Sequence, residues 1–181
     1  MTTRVLVPLA EGFEEIEAIT PIDIWRRANF QVITAGLTPN PIRASRQTTH
    51  VAEAFLDDVL HENFDLIFLP GGQPGANNLA AHEKLGQRLQ KQAADNLYIA
   101  AICAAPLVLH KYGLLKNKQF TCHPSVREQL GASPSSKPFV TDGKIITAPG
   151  AGAALPFALE IVKIFSGEQK AREIAGAILY Y

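Results

Sequence analysis

Apolar runs alternate with amphipathic stretches along most of the chain. Short runs rich in Val, Leu and Ile are typical of buried strands. We predict strands over these ranges: Arg4 to Leu9, Phe30 to Ala35, Asp65 to Leu69, Tyr98 to Ile102, Phe120 to Cys122 and Phe139 to Thr147. A turn at Asp142-Gly143 interrupts the last of them. Residues 37 to 50 are rich in Pro and Thr, and we expect one or two short edge strands there.

Apolar residues at helical spacing occupy several of the intervals between strands. We predict helices over these ranges: Glu14 to Ala28, Glu83 to Ala94, Ala104 to Lys111, Ala154 to Phe165 and Gln169 to Leu179. Pro21 lies inside the first range, where a proline kinks or breaks a helix. Strands that alternate with helices indicate parallel βαβ units. We therefore expect an α/β fold with a mostly parallel sheet and helices on both of its faces.

Length and charge narrow the class of protein. The chain has 181 residues with no internal repeat and no linker, which predicts a single domain over residues 1–181. Its 17 basic and 17 acidic side chains give a net charge of zero, which argues against nucleic acid and anionic membranes as partners. No apolar stretch approaches the roughly 20 residues that span a bilayer, and the N-terminus lacks the pattern of a signal peptide.

Cysteine and histidine usage argues against a disulfide framework and a metal site. The two cysteines, Cys103 and Cys122, are too few to staple a domain of this size, and a reducing cytoplasm is the simpler context. The five histidines are scattered and show no metal-ligand spacing. We therefore predict a cytoplasmic protein with no metal and no cofactor.

Three segments rich in Gly, Ala or Glu follow predicted strands. They are Glu11 to Glu17, Pro70 to Gly75 and Ala100 to Pro106. In doubly wound sheets, ligands bind outside the carboxyl ends of the strands. These segments are therefore the candidates for a functional site.

Cys103 stands directly between a predicted strand and a predicted helix. A nucleophile flanked by small residues in that position is typical of a nucleophile elbow, whose turn is tight and strained. The helix dipole is expected to lower the pKa of the thiol. The backbone N–H groups of Ala104 and of the Gly71-Gly72 turn are candidates for binding an oxyanion. The alternative is that Cys103 is a small buried apolar residue, as isolated cysteines commonly are.

Several motifs stand in the chain in a characteristic order. They are Ala10-Glu11-Gly12-Phe13-Glu14-Glu15-Ile16-Glu17, Ser45-Arg46, Leu69-Pro70-Gly71-Gly72, Ala100-Ala101-Ile102-Cys103-Ala104-Ala105-Pro106 and His123-Pro124. Together they resemble the ThiJ/PfpI superfamily, in the branch that contains the parkinsonism-associated protein deglycase and its bacterial homologues. The resemblance covers nearly the whole chain.

The resemblance implies a flavodoxin-like three-layer sandwich and a homodimer. It also implies that Cys103 is a nucleophile, that Glu17 is its protonated carboxylic acid partner and that His123 lies nearby. A carboxyl buried beside a thiolate has a raised pKa, and it can donate a proton to a carbonyl substrate and later take one back. Taken without the resemblance, Glu17 is a favourable charge at a helix start and His123 is a structural residue before a proline.

The resemblance also indicates supporting residues. Glu14 is expected to form hydrogen bonds beside the catalytic groups. Arg46 is either a surface charge or part of an ion pair near the site or the dimer interface. Arg26 and Arg27 belong either to a solvated face or to that same interface.

The chain departs from the family pattern in three places. Ala105 stands where relatives usually have glycine. The segment from Thr147 to Ala153 lacks both the arginine and the final threonine of a Ser-Arg-Gly-Pro-Gly-Thr pattern. The resemblance implies that this segment approaches the site from the partner subunit and affects substrate preference. Cys122 stands where threonine is more usual, and it is either inert or a redox partner that stops the oxidation of Cys103 at a disulfide.

Two functions are compatible with these residues. In the first, the Cys103 thiolate attacks methylglyoxal, glyoxal or an early glycation adduct on a protein or nucleotide, with Glu17 as proton shuttle and without glutathione or metal. In the second, Cys103 is the oxidisable thiol of a non-catalytic redox sensor or chaperone-like stress protein. A cysteine peptidase is disfavoured, because in that branch histidine directly follows the nucleophile and here Ala104 does.

Overall fold

A computed structural model of the chain describes residues 2–131 and 137–180. Its strands, numbered along the chain, are β1 (Arg4–Leu9), β2 (Gln31–Gly36), β3 (Ile42–Arg43), β4 (Thr49–His50), β5 (Ala54–Phe55), β6 (Leu66–Leu69), β7 (Tyr98–Ile102), β8 (Val140–Asp142) and β9 (Ile145–Ala148). Seven of them form one sheet in the order β5-β2-β1-β6-β7-β9-β8. Strand β8 runs antiparallel to β9, whereas the other pairs in this sheet are parallel. Strands β3 and β4 form a separate antiparallel hairpin.

Helices occupy the connections between the strands. They are α1 (Glu15–Arg27), α2 (Leu56–Val59), α3 (Gly75–Ala81), α4 (Glu83–Ala94), α5 (Pro106–Lys111), α6 (Pro124–Leu130), α7 (Ala154–Ser166) and α8 (Glu168–Ala177), with a 3-10 turn at Ala151–Ala153.

Successive residues of the central strands face opposite sides of the sheet, as the two-residue period of a strand requires. In β6, Leu66 and Phe68 belong to a core that α1, α7 and α8 cover. Their neighbours Ile67 and Leu69 belong to a second core, which α2, α3, α4 and α5 cover. Helices therefore lie on both faces, and the predicted α/β sandwich with a mostly parallel sheet is confirmed.

Three aromatic side chains join α1 and α7 to the sheet. The Trp25 ring meets the Phe68 ring edge-on, with 5.0 Å between centroids, and Phe157 lies 5.8 Å from Phe68. The Trp25 indole N–H donates to the Ala158 carbonyl at 3.1 Å, which satisfies the one polar atom of a fully buried side chain. This cluster fixes α1, whose first turn carries Glu17, against the sheet.

The strand order reverses direction at β1. Strand β1 pairs with β2 on one side and with β6 on the other. The chain therefore adds β2 to one edge of β1 first, and later adds β6 and β7 to the opposite edge. Such a reversal opens a crevice beyond the carboxyl ends of the strands. The segments that follow β1, β6 and β7 meet there.

The predicted helices and most of the predicted strands are confirmed, with ends that shift by no more than two residues. Four short elements were not predicted: β5, α2, α3 and α6. Helix α3 contains the sequence Gly-Ala-Asn-Asn, and glycine and asparagine are poor helix formers, so tertiary packing decides its conformation. The short strands β3 and β4 pair with each other outside the main sheet and are not edge strands of it.

The strand predicted at Phe120 to Cys122 is wrong, since these residues have no strand conformation. The place beside β7 is taken by β9, and β8 lies on the far side of β9. Residues 120–123 pass over the carboxyl ends instead, where the Thr121 N–H donates to Thr147 Oγ1 at 2.9 Å.

Pro21 does not break α1, which continues from Glu15 to Arg27. A proline removes one backbone hydrogen bond from a helix interior. Pro21 and its neighbour Ile22 are buried against the core, and the packing of this face offsets that loss.

Within residues 2–131 and 137–180, the helices are too short or too polar to cross a membrane.

The aromatic cluster predicts a large stability difference between two phenylalanines. Phe68→Ala removes a fully buried ring and is expected to lower the free energy of unfolding by about 3–5 kcal/mol. Phe55→Ala, at a ring that is 43% exposed, is the matched control and is expected to cost less than about 1 kcal/mol. Urea unfolding of both variants measures the difference, and equal losses would contradict this assignment of the core.

Candidate active site

The predicted site segments meet at the carboxyl ends of β1, β6 and β7. Glu17 lies in the first turn of α1, the Gly71-Gly72 turn follows β6 and Cys103 follows β7. The Glu14 N–H donates to the Gly71 carbonyl at 3.0 Å and ties the first two segments together. The Cys103 N–H donates to the Ala148 carbonyl at 2.9 Å, which joins the third to the end of β9.

Cys103 has the backbone conformation expected of a nucleophile elbow. Its φ is +64°, in the left-handed region that residues other than glycine rarely adopt. Holding such a residue there costs on the order of 1–3 kcal/mol, and the surrounding structure must supply that energy. The carbonyl of Cys103 accepts from the His123 N–H at 2.8 Å, which helps to hold the turn.

Gly71 separates the thiol from the carboxyl and leaves no room for a side chain. A Cβ atom at this position would lie 2.5 Å from Oε2 of Glu17 and 2.7 Å from Cβ of Cys103. The Gly71 N–H also donates to Glu17 Oε2 at 3.1 Å. The absence of a side chain here lets the carboxyl approach the thiol.

Glu17 is buried, with only 1% of its surface exposed. Burial raises the pKa of its carboxyl to about 7, and the negative charge of Glu14 adds to the increase. Hydrogen bonds with the Cys103 thiol and with the N–H groups of Gly71 and Ala151 act in the opposite direction and lower this pKa in part. The expected raised pKa of Glu17 therefore has burial as its main cause.

The expectation that the helix dipole lowers the pKa of Cys103 is wrong. Burial, the charge of Glu17 and the hydrogen bond with Glu17 raise the pKa of the thiol to about 12. Helix α5 begins only at Pro106 and has six residues, so its dipole is short and distant from the sulfur. The backbone N–H groups of Gly72 and Ala104 interact with the sulfur and lower its pKa, but they do not outweigh burial and Glu17.

Glu17 and Cys103 titrate as one pair. The high thiol pKa describes the loss of a second proton, after Glu17 has become an anion. Between the two steps, the pair holds one proton and one negative charge. If the proton lies on the Glu17 carboxyl, the charge lies on the Cys103 sulfur, where the N–H groups of Gly72 and Ala104 stabilise it. In that form of the pair, a thiolate stands beside its own proton donor.

His123 lies beside the site, on an exposed position at the start of α6. Its Nδ1 caps this helix by accepting from the Ser125 N–H at 3.2 Å. A neutral imidazole that accepts at Nδ1 carries its proton on Nε2 and can donate from that atom. A Cβ atom added to Gly150 would lie 3.6 Å from Cδ2 of the His123 ring and 4.0 Å from Oε1 of Glu17. His123, Gly150 and Glu17 are therefore close together.

Glu14 and Glu15 act on the protein backbone. Glu14 is the N-cap of α1, and its carboxylate accepts from the Glu17 N–H at 2.8 Å. Glu15, which the sequence did not single out by itself, accepts from Arg46 N–H at 2.8 Å and from Thr48 Oγ1 at 2.9 Å. Burial acts to raise the pKa of Glu15, but these hydrogen bonds lower it overall. The only sequence signal for this role is an acidic residue in the first turn of a helix.

The predicted arginines lie outside the thiol–carboxyl pair. Arg46 is exposed, and its backbone, not its guanidinium, binds Glu15. Arg26 pairs with Glu53 at 2.8 Å, and Arg27 pairs with Asp23 at 2.8 Å.

The segment from Thr147 to Ala153 reaches the site within the same chain, which corrects the expectation that the partner subunit supplies it. The Ala151 N–H interacts with the Glu17 carboxyl, and the Ala148 carbonyl binds Cys103. Sequence reasoning missed Gly150 and Ala151, because they act through backbone groups that any residue carries. In the described part of the chain, no cluster of three or more His, Cys, Asp or Glu side chains could hold a metal ion.

Comparisons with known proteins point to one family. The DJ-1/PfpI family matches residues 3–164. Protein DJ-1 homolog A of Arabidopsis thaliana is 44% identical over 98% of this chain, which spans only 46% of that protein's length. Glutathione-independent glyoxalase DJR-1.2 of Caenorhabditis elegans is 34% identical over 94% of this chain and 91% of its own length. The solved structure of oxidized DJ-1 from Toxoplasma gondii is 33% identical in sequence and has a TM-score of 0.94. The superposition covers 99% of this chain and 99% of that one.

The raised pKa of Glu17 predicts a pH-dependent stability. The folded-state value of about 7 lies above the ordinary 4.5, so the folded protein binds this proton more tightly than the unfolded chain does. The contribution of Glu17 to stability is therefore complete below pH 4.5 and is lost as the pH rises through 7. The shift corresponds to about 3 kcal/mol.

Glu17→Gln removes this titration and is the variant to measure. The free energy of unfolding of the wild type, minus that of Glu17→Gln, is expected to fall by about 3 kcal/mol between pH 4.5 and pH 8. Glu128→Gln, at an exposed position, is the control and should leave the difference flat. A flat difference for Glu17→Gln as well would show that this carboxyl has an ordinary pKa.

Proposed function

The chain belongs to the DJ-1/PfpI family, and from this premise we propose that it is a cofactor-independent glyoxalase or deglycase that acts through Cys103. One observation carries the proposal: the buried Glu17 carboxyl is hydrogen-bonded to the Cys103 thiol at the end of the crevice. The substrates proposed are methylglyoxal, glyoxal and early glycation adducts on proteins or nucleotides.

The first proposed step is addition of the Cys103 sulfur to the aldehyde carbon of methylglyoxal. A carbon–sulfur bond forms, and the carbonyl oxygen gains negative charge. Glu17 gives its proton to that oxygen, which yields a neutral hemithioacetal. The N–H groups of Gly72 and Ala104, which favour the thiolate at rest, are proposed to stabilise the charge that develops during the addition.

In the second proposed step, Glu17 moves a proton between adjacent carbons. It takes the proton from the former aldehyde carbon and returns it to the neighbouring carbon. The hydroxyl proton passes from the first oxygen to the second through the enediol intermediate, so the hemithioacetal becomes a thioester of lactate. Water then cleaves the thioester, and lactate and the Cys103 thiol are released. The net reaction adds one water to methylglyoxal and needs no external oxidant. A carboxyl with a pKa of about 7 suits a group that must be both acid and base.

His123 and the backbone near Gly150 are proposed to complete the substrate site. The Nε2–H of a neutral His123 is available to donate to a substrate oxygen, because Nδ1 is used in the helix cap. This supports a positioning role for His123, with Glu17 as the group that transfers protons.

A redox sensor or chaperone-like stress protein is the second candidate function. Cys103 is only partly buried and adjoins a carboxyl that can hydrogen-bond to an oxidised sulfur. The Toxoplasma gondii relative is named as oxidized DJ-1. This candidate predicts selective oxidation of Cys103 with no aldehyde turnover.

We also propose that the protein is a cytoplasmic homodimer. Ile16 and Ile19 are 53% and 40% exposed, three residues apart on α1, and they flank the position of Glu17. Two isoleucines on one helix face form an apolar surface that a second copy would cover.

Lactate formation from methylglyoxal tests the enzyme. The chelator-treated wild type is expected to produce lactate, and Cys103→Ser is expected to produce none. Glu17→Gln should lower the rate by at least about 100-fold, the usual contribution of a general acid and base. Cys122→Ser keeps the nucleophile and is the matched control, with activity near that of the wild type.

Two other outcomes of the lactate assay would contradict the proposed enzyme mechanism. Equal lactate from the wild type and Cys103→Ser would rule out this thiol as the nucleophile. No lactate from any of the proteins, together with selective peroxide oxidation of Cys103, would favour the redox sensor.

The dimer is tested with two substitutions on α1. Ile16→Lys combined with Ile19→Lys places two charges on the proposed interface and is expected to convert the dimer into a monomer. Light scattering after size-exclusion chromatography measures the mass. Leu179→Lys, at a residue that is 71% exposed near the C-terminal end of the described chain, is the control and should remain dimeric. A wild type with the mass of a single chain would contradict the proposal.

A further inference from the structure

Cys122 is a buried thiol that the proposed reaction does not use. Only 3% of its surface is exposed. It belongs to a small apolar cluster between α3, α5 and α6, and Cys103 packs against the same cluster. The members of this cluster are Ala76, Ala104, Leu107, Cys122, Val126 and Leu130.

One backbone hydrogen bond holds the two cysteines close together. The N–H of His123, the residue after Cys122, donates to the carbonyl of Cys103 at 2.8 Å. Standard backbone dimensions then limit the distance between the Cα atoms of the two cysteines to about 7.5 Å at most. Disulfides join Cα atoms about 4.4–6.8 Å apart, which falls inside this limit. Because Cys103 packs against the apolar cluster that contains Cys122, a rotation of its side chain within this cluster is the movement that a bond requires.

The two thiols differ in accessibility. Cys103 is partly exposed at the crevice, and its sulfur can meet a dissolved oxidant. Cys122 is buried among apolar side chains, so a dissolved oxidant does not reach its sulfur directly. The order of events follows from this difference, with Cys103 reacting first.

We propose that Cys122 is a resolving cysteine, which captures oxidised Cys103 as an intramolecular disulfide. Hydrogen peroxide is the oxidant. The Cys103 thiolate attacks one peroxide oxygen, the O–O bond breaks, hydroxide leaves and a sulfenic acid forms. The Cys122 sulfur then attacks the sulfenic sulfur. A sulfur–sulfur bond forms, the sulfur–oxygen bond breaks, and the sulfenic hydroxyl leaves as water with the proton of Cys122.

The disulfide would protect the site as well as inactivate it. Further oxidation of a sulfenic acid to a sulfinic acid is irreversible in the absence of a dedicated repair enzyme, whereas thiols reduce a disulfide. Capture by Cys122 therefore makes the loss of the Cys103 nucleophile reversible. This inference concerns the oxidation product and does not depend on the glyoxalase reaction.

Mass spectrometry of peroxide-treated protein tests the proposal. The wild type is expected to lose two hydrogen atoms in mass and to yield a peptide pair linked through Cys103 and Cys122. Cys122→Ser is expected to gain two oxygen atoms on Cys103 in place of the link. Dithiothreitol should restore an alkylatable Cys103 in the wild type, but not in Cys122→Ser. Cys122→Ala, which is apolar like its surroundings, serves as a second variant if the serine hydroxyl perturbs the buried cluster.

Two outcomes would overturn the proposal. In one, the wild type accumulates sulfinic acid on Cys103 as fast as the Cys122 variants do, while Cys122 stays alkylatable. In the other, the disulfide joins Cys103 residues of separate chains and leaves Cys122 unreacted. Both readouts are masses of the protein, so an inactive glyoxalase would not affect the result.

Discussion

The close approach of the Glu17 carboxyl to the Cys103 thiol is the constraint that shapes the rest of the site. Two acidic groups that share a buried location cannot both be ionised without a large cost, so the pair retains one proton near neutral pH. Without compensating hydrogen bonds, burial of the ionised pair would lower the free energy of unfolding. The amides of Gly72, Ala104 and Ala151 reduce this cost by stabilising whichever group carries the charge. Backbone groups suit this purpose, because they are fixed in place and add no further charge.

The position of the pair follows from the strand order. Strand β1 is the point of reversal, so the segments after β1 and β6 are neighbours in space although 54 residues separate Glu17 from Gly71. Strand β7 brings Cys103 alongside them, and β9 brings Ala148 to the backbone of Cys103. Four strands thus each contribute one element to a site that no single segment could form. The aromatic cluster around Phe68 keeps α1, and with it Glu17, at a fixed depth against the sheet.

Periodicity predicted the large elements of the fold, because the apolar residues of β1, β6 and β7 must fill two cores at once. It failed at Phe120 to Cys122, where an apolar run of strand length crosses the ends of the sheet. A local pattern carries no information on whether the place beside β7 is already occupied by β9. The short helix α3 was missed for a related reason, since its glycine and asparagines are helical only through tertiary packing.

The residues of the site were predictable where motifs mark them, and so was the raised pKa of Glu17, whereas the pKa of the Cys103 thiol was not. Cys103, Glu17 and the Gly71-Gly72 turn were all placed together as the motifs implied. The direction of the thiol pKa was predicted wrongly, because a strand-to-helix position indicates a dipole but gives neither the length of the helix nor the depth of burial. The role of Glu15 was hidden for a similar reason. An acidic residue in a first helical turn is common, and only the fold shows that this one holds the β3–β4 hairpin.

The divergent segment from Thr147 to Ala153 keeps its contacts with the thiol–carboxyl pair. Its contacts with Cys103 and Glu17 come from the Ala148 carbonyl and the Ala151 N–H, which do not depend on side-chain identity. The arginine and threonine of the family pattern are side-chain features, and their absence leaves these backbone contacts in place. What changes is the surface that this segment offers beside Gly150, where small apolar residues replace a cation and a hydroxyl. In the proposed reaction, a small neutral dicarbonyl would need neither group for sulfur addition, whereas an anionic substrate would lose a favourable charge. The departure is therefore consistent with the small dicarbonyls among the proposed substrates.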